Sequence, residues 1–133
     1  MDSRSFPPSF PPELVTAAFK SGDEAAWPLA IATSAVEWFG RNGYAVLGTE
    51  LWLLQGTKIQ SLPIGSSGMR EVHGNTVDRQ RGEPWSVFAN RAMAETCAYL
   101  RSFNASEIIE SGELYFNLTW VDQNEFETLG NSI

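Results

Sequence analysis

The chain has 133 residues, a net charge of -7, one cysteine and a hydrophobic fraction of 43%. This length suits one domain with its own core, and the hydrophobic fraction is well above that of disordered chains. A single cysteine excludes an internal disulfide, and no apolar run reaches the ~18 residues of a membrane span. The N-terminus also lacks the apolar region of a secretory signal, so we expect a soluble, cytoplasmic protein.

The N-terminal segment RSFPPSFPPEL is rich in proline and is predicted to be extended. We therefore predict an arm over residues 1–12, followed by a single domain over residues 13–133. The PxxP spacing in the arm also matches the ligands of SH3 domains, although that motif is short and common. The other interpretation is that Phe6 and Phe10 pack the arm onto the domain.

Two helices are predicted before the first long strand. Residues 13–20 are predicted to form a short helix that ends at Gly22. The capping-box spacing of Ser21 and Glu24 predicts the start of a second helix, in which Pro28 is tolerable only within the first turn. The second helix is supported by apolar residues at helical spacing, which are Leu29, Ala32, Val36 and Phe39.

Residues 44–54 change to an alternating pattern, which predicts a strand with Val46, Gly48 and Glu50 on one side. Both sides are largely apolar, so we expect a central strand or one covered on both faces. Gly48 predicts a bulge or the close approach of another segment. Glu50 is a carboxylate in the most apolar run of the chain. It has three open interpretations: a structural group with hydrogen-bond partners, an exposed position on the sheet, or an acid that faces a binding partner.

The middle of the chain is predicted to hold a hairpin turn at 55–57, a short strand, and a polar, glycine-rich loop over 65–82 with at most a short strand near 71–73. Glu83 and Pro84 then open the most regular amphipathic helix of the chain. Its apolar stripe consists of Trp85, Phe88, Ala92, Thr96, Tyr99 and Phe103, and its end is predicted at Asn104.

The C-terminal part is predicted to contain a half-buried strand over 114–121, preceded by a helical turn at 106–110. Asp122 and Glu125 have capping-box spacing and predict a last helix. Taken together, the elements predict an α+β fold, a single domain with a small, mostly antiparallel sheet and helices packed on it.

Few residues of this sequence are suited to catalysis. A single His and a single Cys cannot supply the ligands of a nitrogen and sulfur metal site, and no calcium-loop pattern is present. Cys97 adjoins an apolar helix stripe and is expected to be a buried thiol rather than a nucleophile paired with His73. His73 is either a solvated loop residue or part of a cationic patch with Arg70, Arg79 and Arg81. We therefore predict that the protein is not an enzyme and has no metal or cofactor.

The negative charge is concentrated at the C-terminal end, because residues 104–133 hold six acids and no Lys or Arg. Such a surface repels nucleic acid and anionic lipid and attracts a basic protein, although it could also serve solubility alone. Trp85 follows the long loop and is a candidate aromatic anchor. The full set of candidate partner-binding residues is Glu107, Glu110, Glu113, Asp122, Glu125, Glu127, Trp85 and Glu50.

Residues 27–52, WPLAIATSAVEWFGRNGYAVLGTELW, resemble the immunity protein 40 family of bacterial polymorphic toxin systems. The resemblance lies in a Trp-led helix, a glycine at its end, and a strand reading A-V-L-G that is followed by an acid and a tryptophan. It continues through the Trp85 helix and the YFNL strand.

The resemblance implies a small α+β protein that neutralises a cognate toxin domain by direct, stoichiometric binding and active-site occlusion. Many such toxins act on nucleic acids and bear basic clefts, which would suit the acidic residues of this chain. No binding to nucleic acid or membrane is expected. The alternative is a domain that binds or senses a small molecule in a pocket between the sheet and the Trp85 helix.

Overall fold

The computed structural model describes residues 6–55, 58–61, 74–102 and 113–131. The elements in chain order are α1 (Pro12–Ala17), β1 (Phe19–Ser21), β2 (Glu24–Pro28), α2 (Leu29–Arg41), β3 (Ala45–Gln55), β4 (Lys58–Ser61), α3 (Trp85–Arg101), β5 (Glu113–Val121) and α4 (Gln123–Asn131). The predicted α+β class is confirmed.

The five strands of the described ranges form one sheet in the order β1-β2-β5-β3-β4, and every neighbouring pair is antiparallel. β3 therefore lies between two strands, as its apolar sequence predicted. β5 is also internal and alternates as expected. Its buried residues on the helix side are Leu114, Phe116, Leu118 and Trp120.

The main core lies between one face of the sheet and helices α2 and α3. Trp27 from β2, Phe39 from α2 and Phe116 from β5 are completely buried there. Phe10 belongs to the same core, and its ring stacks on that of Phe6 with 4.9 Å between centroids. The prediction that these two phenylalanines pack the N-terminal segment onto the domain is confirmed.

Residues 19–28 form a β-hairpin, and the prediction of helix in this region was wrong. Gly22 has a φ of 62° and allows the tight turn between β1 and β2. Trp27 pairs with Phe116 of β5, and its Nε1 donates a hydrogen bond to the Leu14 carbonyl at 2.8 Å. These long-range contacts outweigh a local capping preference. Pro28 precedes α2 in an extended conformation, because the helix begins only at Leu29.

A β-bulge in β3 changes which residues share a face. Val46 pairs with Trp120 and Gly48 with Thr119, so Leu47 is an extra residue in β3. The prediction that Val46 points to the same side as Gly48 was therefore wrong. The prediction of a bulge and of a close approach at Gly48 is confirmed, since a Cβ at that position would lie 2.6 Å from the Asn75 carbonyl oxygen.

Helices α3 and α4 complete the domain. α3 begins directly after Pro84, as predicted, and ends at Arg101, before the predicted end. The capping box of α4 is confirmed, because Asp122 N donates to Glu125 Oε1 at 2.9 Å and Glu125 N donates to Asp122 Oδ1 at 2.8 Å. The predicted elements near 71–73 and 106–110 lie outside the described residues. Within the described ranges, no helix is long and apolar enough to cross a membrane.

Candidate functional site

The side of the sheet away from α2 and α3 carries most of the polar groups that the strands present. We call it the distal face, and its residues are Phe19, Glu24, Ala26, Gly48, Glu50, Trp52, Leu54, Glu113, Tyr115, Asn117 and Thr119. Three of them are exposed carboxylates on three different strands, namely Glu24, Glu50 and Glu113. Among the side chains described on this face there is no Lys or Arg. The distal face is therefore acidic by its own composition.

An aromatic cluster accompanies these carboxylates. The Phe19 ring lies 5.8 Å from the ring of Tyr115 and 6.5 Å from that of Trp52. Trp52 is 5% exposed, while Phe19 and Tyr115 are half-buried. Burial, together with the neighbouring charge of Glu113, raises the pKa of Tyr115. Tyr115 therefore remains a neutral hydroxyl at physiological pH.

Glu50 is exposed on this face rather than buried in the core. Its Oε1 accepts a hydrogen bond from Trp52 Nε1 at 2.9 Å. Residues two apart on a strand point to the same side, so the tryptophan is well placed to hold the carboxylate. The structure thus combines two of the three interpretations, a partnered carboxylate and an exposed position. The third, a contact with a binding partner, remains a prediction.

A partly buried polar network lies behind the distal face, near the bulge of β3. Thr49 Oγ1 lies 2.7 Å from Asn75 Oδ1 and also accepts a bond from Asn75 N at 3.0 Å. Asn75 Nδ2 donates to Oγ1 of the fully buried Thr96 at 3.1 Å. Burial raises the pKa of Tyr99, whose hydroxyl is hydrogen-bonded to Thr49. The network therefore ties Asn75, in the later part of the predicted loop, to both β3 and α3.

Backbone hydrogen bonds fix the same segment along the edge of β3. Thr49 N donates to the Asn75 carbonyl at 2.9 Å, and Val77 N donates to the Leu47 carbonyl at 2.8 Å. Gly48 and Thr76 form an antiparallel bridge between these bonds. The predicted loop over 65–82 therefore contains an isolated bridge at Thr76, outside the span near 71–73 where a short strand was expected.

The other predicted acids lie apart from the distal face or outside the described residues. Glu107 and Glu110 lie outside the described residues. Asp122 and Glu125 cap α4, and each carboxylate is engaged with the backbone of the other residue. Glu127 is exposed on α4 and lies 3.9 Å from Arg79 Nη1. Of the predicted acids after residue 104 that the structure describes, Glu113 lies on β5, and the other three lie on or directly before α4.

Trp85, the predicted aromatic anchor, is half-buried and contacts other parts of the chain. Its Nε1 donates to the Gly43 carbonyl at 2.9 Å. Its ring lies 5.5 Å from that of Phe88 and 5.6 Å from that of Phe126 on α4, with the Arg79 guanidinium 5.6 Å from its centroid. These contacts give Trp85 a structural role in joining α3 to α4.

A group of closely paired charges lies near the start of α3. Arg91 donates to both carboxylate oxygens of the buried Glu83, at 2.8 and 2.9 Å, and to Glu95 Oε2 at 2.9 Å. Gln80 N donates to Glu83 Oε1 at 2.9 Å. The Arg91 guanidinium, followed by the Gln80 amide, lowers the pKa of Glu83 from 4.5 to about 2. This pair fixes the chain before α3 and has no direct link to the distal face.

The candidate residues for catalysis or metal binding do not converge in the described structure. Cys97 is 3% exposed, and burial raises the pKa of its thiol, so the prediction of a buried thiol is confirmed. His73 lies outside the described residues. Across the described ranges there is no group of three His, Cys, Asp or Glu side chains that could hold a metal ion.

A concave surface away from the distal face lies between α1 and α2, with a volume of about 520 Å³. Leu14, Ile31 and Trp38 supply its apolar wall, and Glu37 and Arg41 supply charges. The pocket of the alternative hypothesis was expected elsewhere, between the sheet and α3. The inner side of α3 instead carries buried side chains such as Thr96, Cys97 and Leu100.

Among the polar residues of the distal face that sequence reasoning missed are Glu24 and Asn117. Glu24 was assigned to a capping box because the β1–β2 hairpin was not recognised. The turn residues at Gly22 and Asp23, followed by Trp27 and Pro28, could have indicated the hairpin. Asn117 was not among the candidate residues, and nothing in the local sequence distinguishes it.

Comparison of the chain with known protein families, curated proteins and solved structures finds no match. The evidence for function therefore lies in the chain's own sequence and in the geometry of the distal face.

Proposed function

We propose that the protein is an immunity protein that neutralises a cognate bacterial toxin domain by binding it through the distal face. The observation that carries the proposal is the combination of three exposed carboxylates, Glu24, Glu50 and Glu113, with an aromatic cluster on one sheet face. The resemblance of residues 27–52 to an immunity protein family supports the same class of function.

The charge of the distal face indicates the kind of partner. A basic cleft that binds nucleic acid presents Lys and Arg side chains, and an acidic surface accelerates association with it. Aromatic groups near the charges would supply apolar contact area once the complex forms. The carboxylates therefore act mainly on the association rate and specificity, whereas close contacts determine the dissociation rate.

The test requires the toxin domain encoded beside this protein. The purified pair should form a 1:1 complex in which toxin activity is lost in proportion to the amount of immunity protein added. Absence of both a complex and protection would refute the proposal.

The location of the binding surface is tested by charge reversal. The double variant Glu24→Lys and Glu113→Lys should slow association by about tenfold or more at low salt and reduce its salt dependence. A matched control carries the same charge change at two exposed acids away from this face, Glu13→Lys and Asp78→Lys. Equal association rates for the two variants would place the contact elsewhere, for example on α4 or in the acidic segment that includes Glu107 and Glu110.

A second candidate function is the binding of a small molecule in the groove between α1 and α2. Its volume of about 520 Å³ falls within the usual range of ligand sites. Leu14, Ile31 and Trp38 would contact an apolar group, with Glu37 and Arg41 orienting a polar one. A ligand-dependent rise in melting temperature that is lost in Trp38→Ala, without any toxin present, would favour this function.

A further inference from the structure

The groove between α1 and α2 has a volume of about 520 Å³ and carries both apolar and charged side chains. Ile31 and Trp38 belong to its apolar wall. The charged residues of its described lining are Glu13 on α1 and Glu37 and Arg41 on α2. Arg41 is thus the single cation that the described residues bring to this groove.

The Arg41 guanidinium has no carboxylate partner among the described residues, although an acid lies one helical turn before it. Glu37 and Arg41 have the i, i+4 spacing, with the acid first, that favours an ion pair on a helix. In the structure Glu37 Oε2 instead lies 3.5 Å from Arg101 Nη2 on α3. Because Glu37 pairs with α3, the N–H donors of Arg41 are left to solvent or to a ligand.

Trp38 supplies a second donor, and this observation is independent of the charges. The indole N–H groups of Trp27, Trp52 and Trp85 each donate to an oxygen of the chain at 2.8 or 2.9 Å. Trp38 is half-buried, with its ring 4.9 Å from that of Phe10, and no oxygen among the described residues accepts a bond from its Nε1. A tryptophan N–H usually has an acceptor when it is buried, so this one is suited to an acceptor from outside the chain.

The two acids of the lining restrict the charge of a ligand. Glu13 is exposed, and the side chain of Glu37 is 33% exposed. A group with one negative charge can bind to Arg41, whereas a phosphate with two negative charges meets more repulsion from these carboxylates. The charges of the groove therefore favour a carboxylate over a phosphate.

We propose that this groove binds a small aromatic carboxylate, with the carboxylate on Arg41 and the ring against Ile31 and Trp38. A guanidinium matches the two oxygens of a carboxylate with two parallel hydrogen bonds. An aromatic ring gains from contact with the Trp38 indole beyond the apolar area that it buries. The proposal rests on the second candidate function, since it names the ligand class for the same groove, and it is independent of the immunity function.

The site can be tested with phenylacetate as the probe. Phenylacetamide is its neutral analogue of nearly equal shape, and phenyl phosphate carries the second negative charge. The full chain is titrated with each compound in neutral buffer and followed by the NMR signals of the Trp38 indole N–H and the Arg41 Nε–H. Saturable shifts of both signals are expected with phenylacetate, at lower concentration than with either of the other compounds.

Variants separate this site from a general attraction of anions. Arg41→Gln should weaken binding of phenylacetate by about tenfold and leave that of phenylacetamide unchanged, because it removes the charged hydrogen-bond donor. Arg81→Gln makes the same charge change at an exposed position outside the described lining, and it should leave the affinity for phenylacetate unchanged. Equal weakening by both variants would indicate a diffuse electrostatic effect and would overturn the proposal.

The ligand class and the second candidate function fail in different ways. If phenylacetamide or phenyl phosphate binds as tightly as phenylacetate, the carboxylate assignment is refuted and the groove stands as a site for small molecules. If none of the three compounds shifts the Trp38 signal, the carboxylate assignment and the small-molecule function are both refuted.

Discussion

Trp52 Nε1 donates a hydrogen bond to Glu50 Oε1 at 2.9 Å across two positions of β3. Through this contact a carboxylate is kept at the surface of an otherwise apolar strand, close to the aromatic cluster of the distal face. The contact connects the two properties on which the proposed function depends, exposed negative charge and nearby aromatic rings.

Glu50→Gln should leave the free energy of unfolding within about 0.5 kcal/mol of the wild type, because the side chain is exposed and the amide oxygen can still accept the bond from Trp52. Urea denaturation measures this change. The same variant should weaken toxin binding. A large loss of stability would instead assign Glu50 a structural role.

Stability should fall as the pH decreases from about 4.5 to about 2, in part because of Glu83. Its pKa is lowered to about 2 in the folded protein, so the folded state favours the ionised carboxylate. That contribution is fully present above the ordinary pKa of 4.5 and is lost as the pH approaches 2. Urea midpoints measured across this pH range should show the decrease.

Glu83→Gln should lower the urea midpoint at neutral pH and flatten its dependence on pH in this acidic range. Glu95→Gln serves as the control, because Glu95 also pairs with Arg91 but its side chain is 50% exposed. Exposed ion pairs contribute little to stability. An equally steep acid transition in the Glu83→Gln variant would contradict the role assigned to Glu83.

Gly40→Ala should destabilise the protein by about 1–3 kcal/mol, the usual cost of overpacking a core. A Cβ at this position would lie 2.7 Å from the Cβ of Met93 on α3, an atom that cannot move without the helix. Alanine has a higher helix propensity than glycine, which alone would stabilise α2. A variant more stable than the wild type would therefore contradict the close packing of α2 against α3. Ser34→Ala, at an exposed position of α2, measures the propensity effect alone.

Thr96→Val should cost about 1–3 kcal/mol, although the two side chains have nearly the same shape. The change removes the acceptor of Asn75 Nδ2 and leaves this partly buried amide group without that partner. Urea denaturation measures the loss, and Thr128→Val at an exposed position of α4 is the control. Similar stability of both variants would mean that the network adds nothing to the fold.

Cys97 should react with Ellman's reagent only when the protein unfolds. The residue is 3% exposed, and burial raises the pKa of its thiol, so little of the reactive thiolate is accessible in the folded state. Absorbance should show slow labelling in native buffer and one rapid equivalent in guanidinium chloride. Rapid labelling of the native protein would contradict the described packing of α3.

The sequence by itself determined the elements that depend on local patterns. Helical spacing identified α2 and α3, alternation identified β3 and β5, and the reciprocal capping of Asp122 and Glu125 identified the start of α4. In each case the residues that decide the structure are within one or two turns, or a few strand positions, of each other. The apolar fraction and the mixture of elements were sufficient for the α+β class.

Only the tertiary structure decided how the candidate site is assembled. The β1–β2 hairpin exists because Trp27 pairs with β5, and the bulge at Leu47 reverses the face of every later residue in β3. As a result, Glu24, Glu50 and Asn117 meet on the distal face although they belong to three separate strands. Strand order and register depend on hydrogen bonds and packing between distant segments, and no local pattern contains that information.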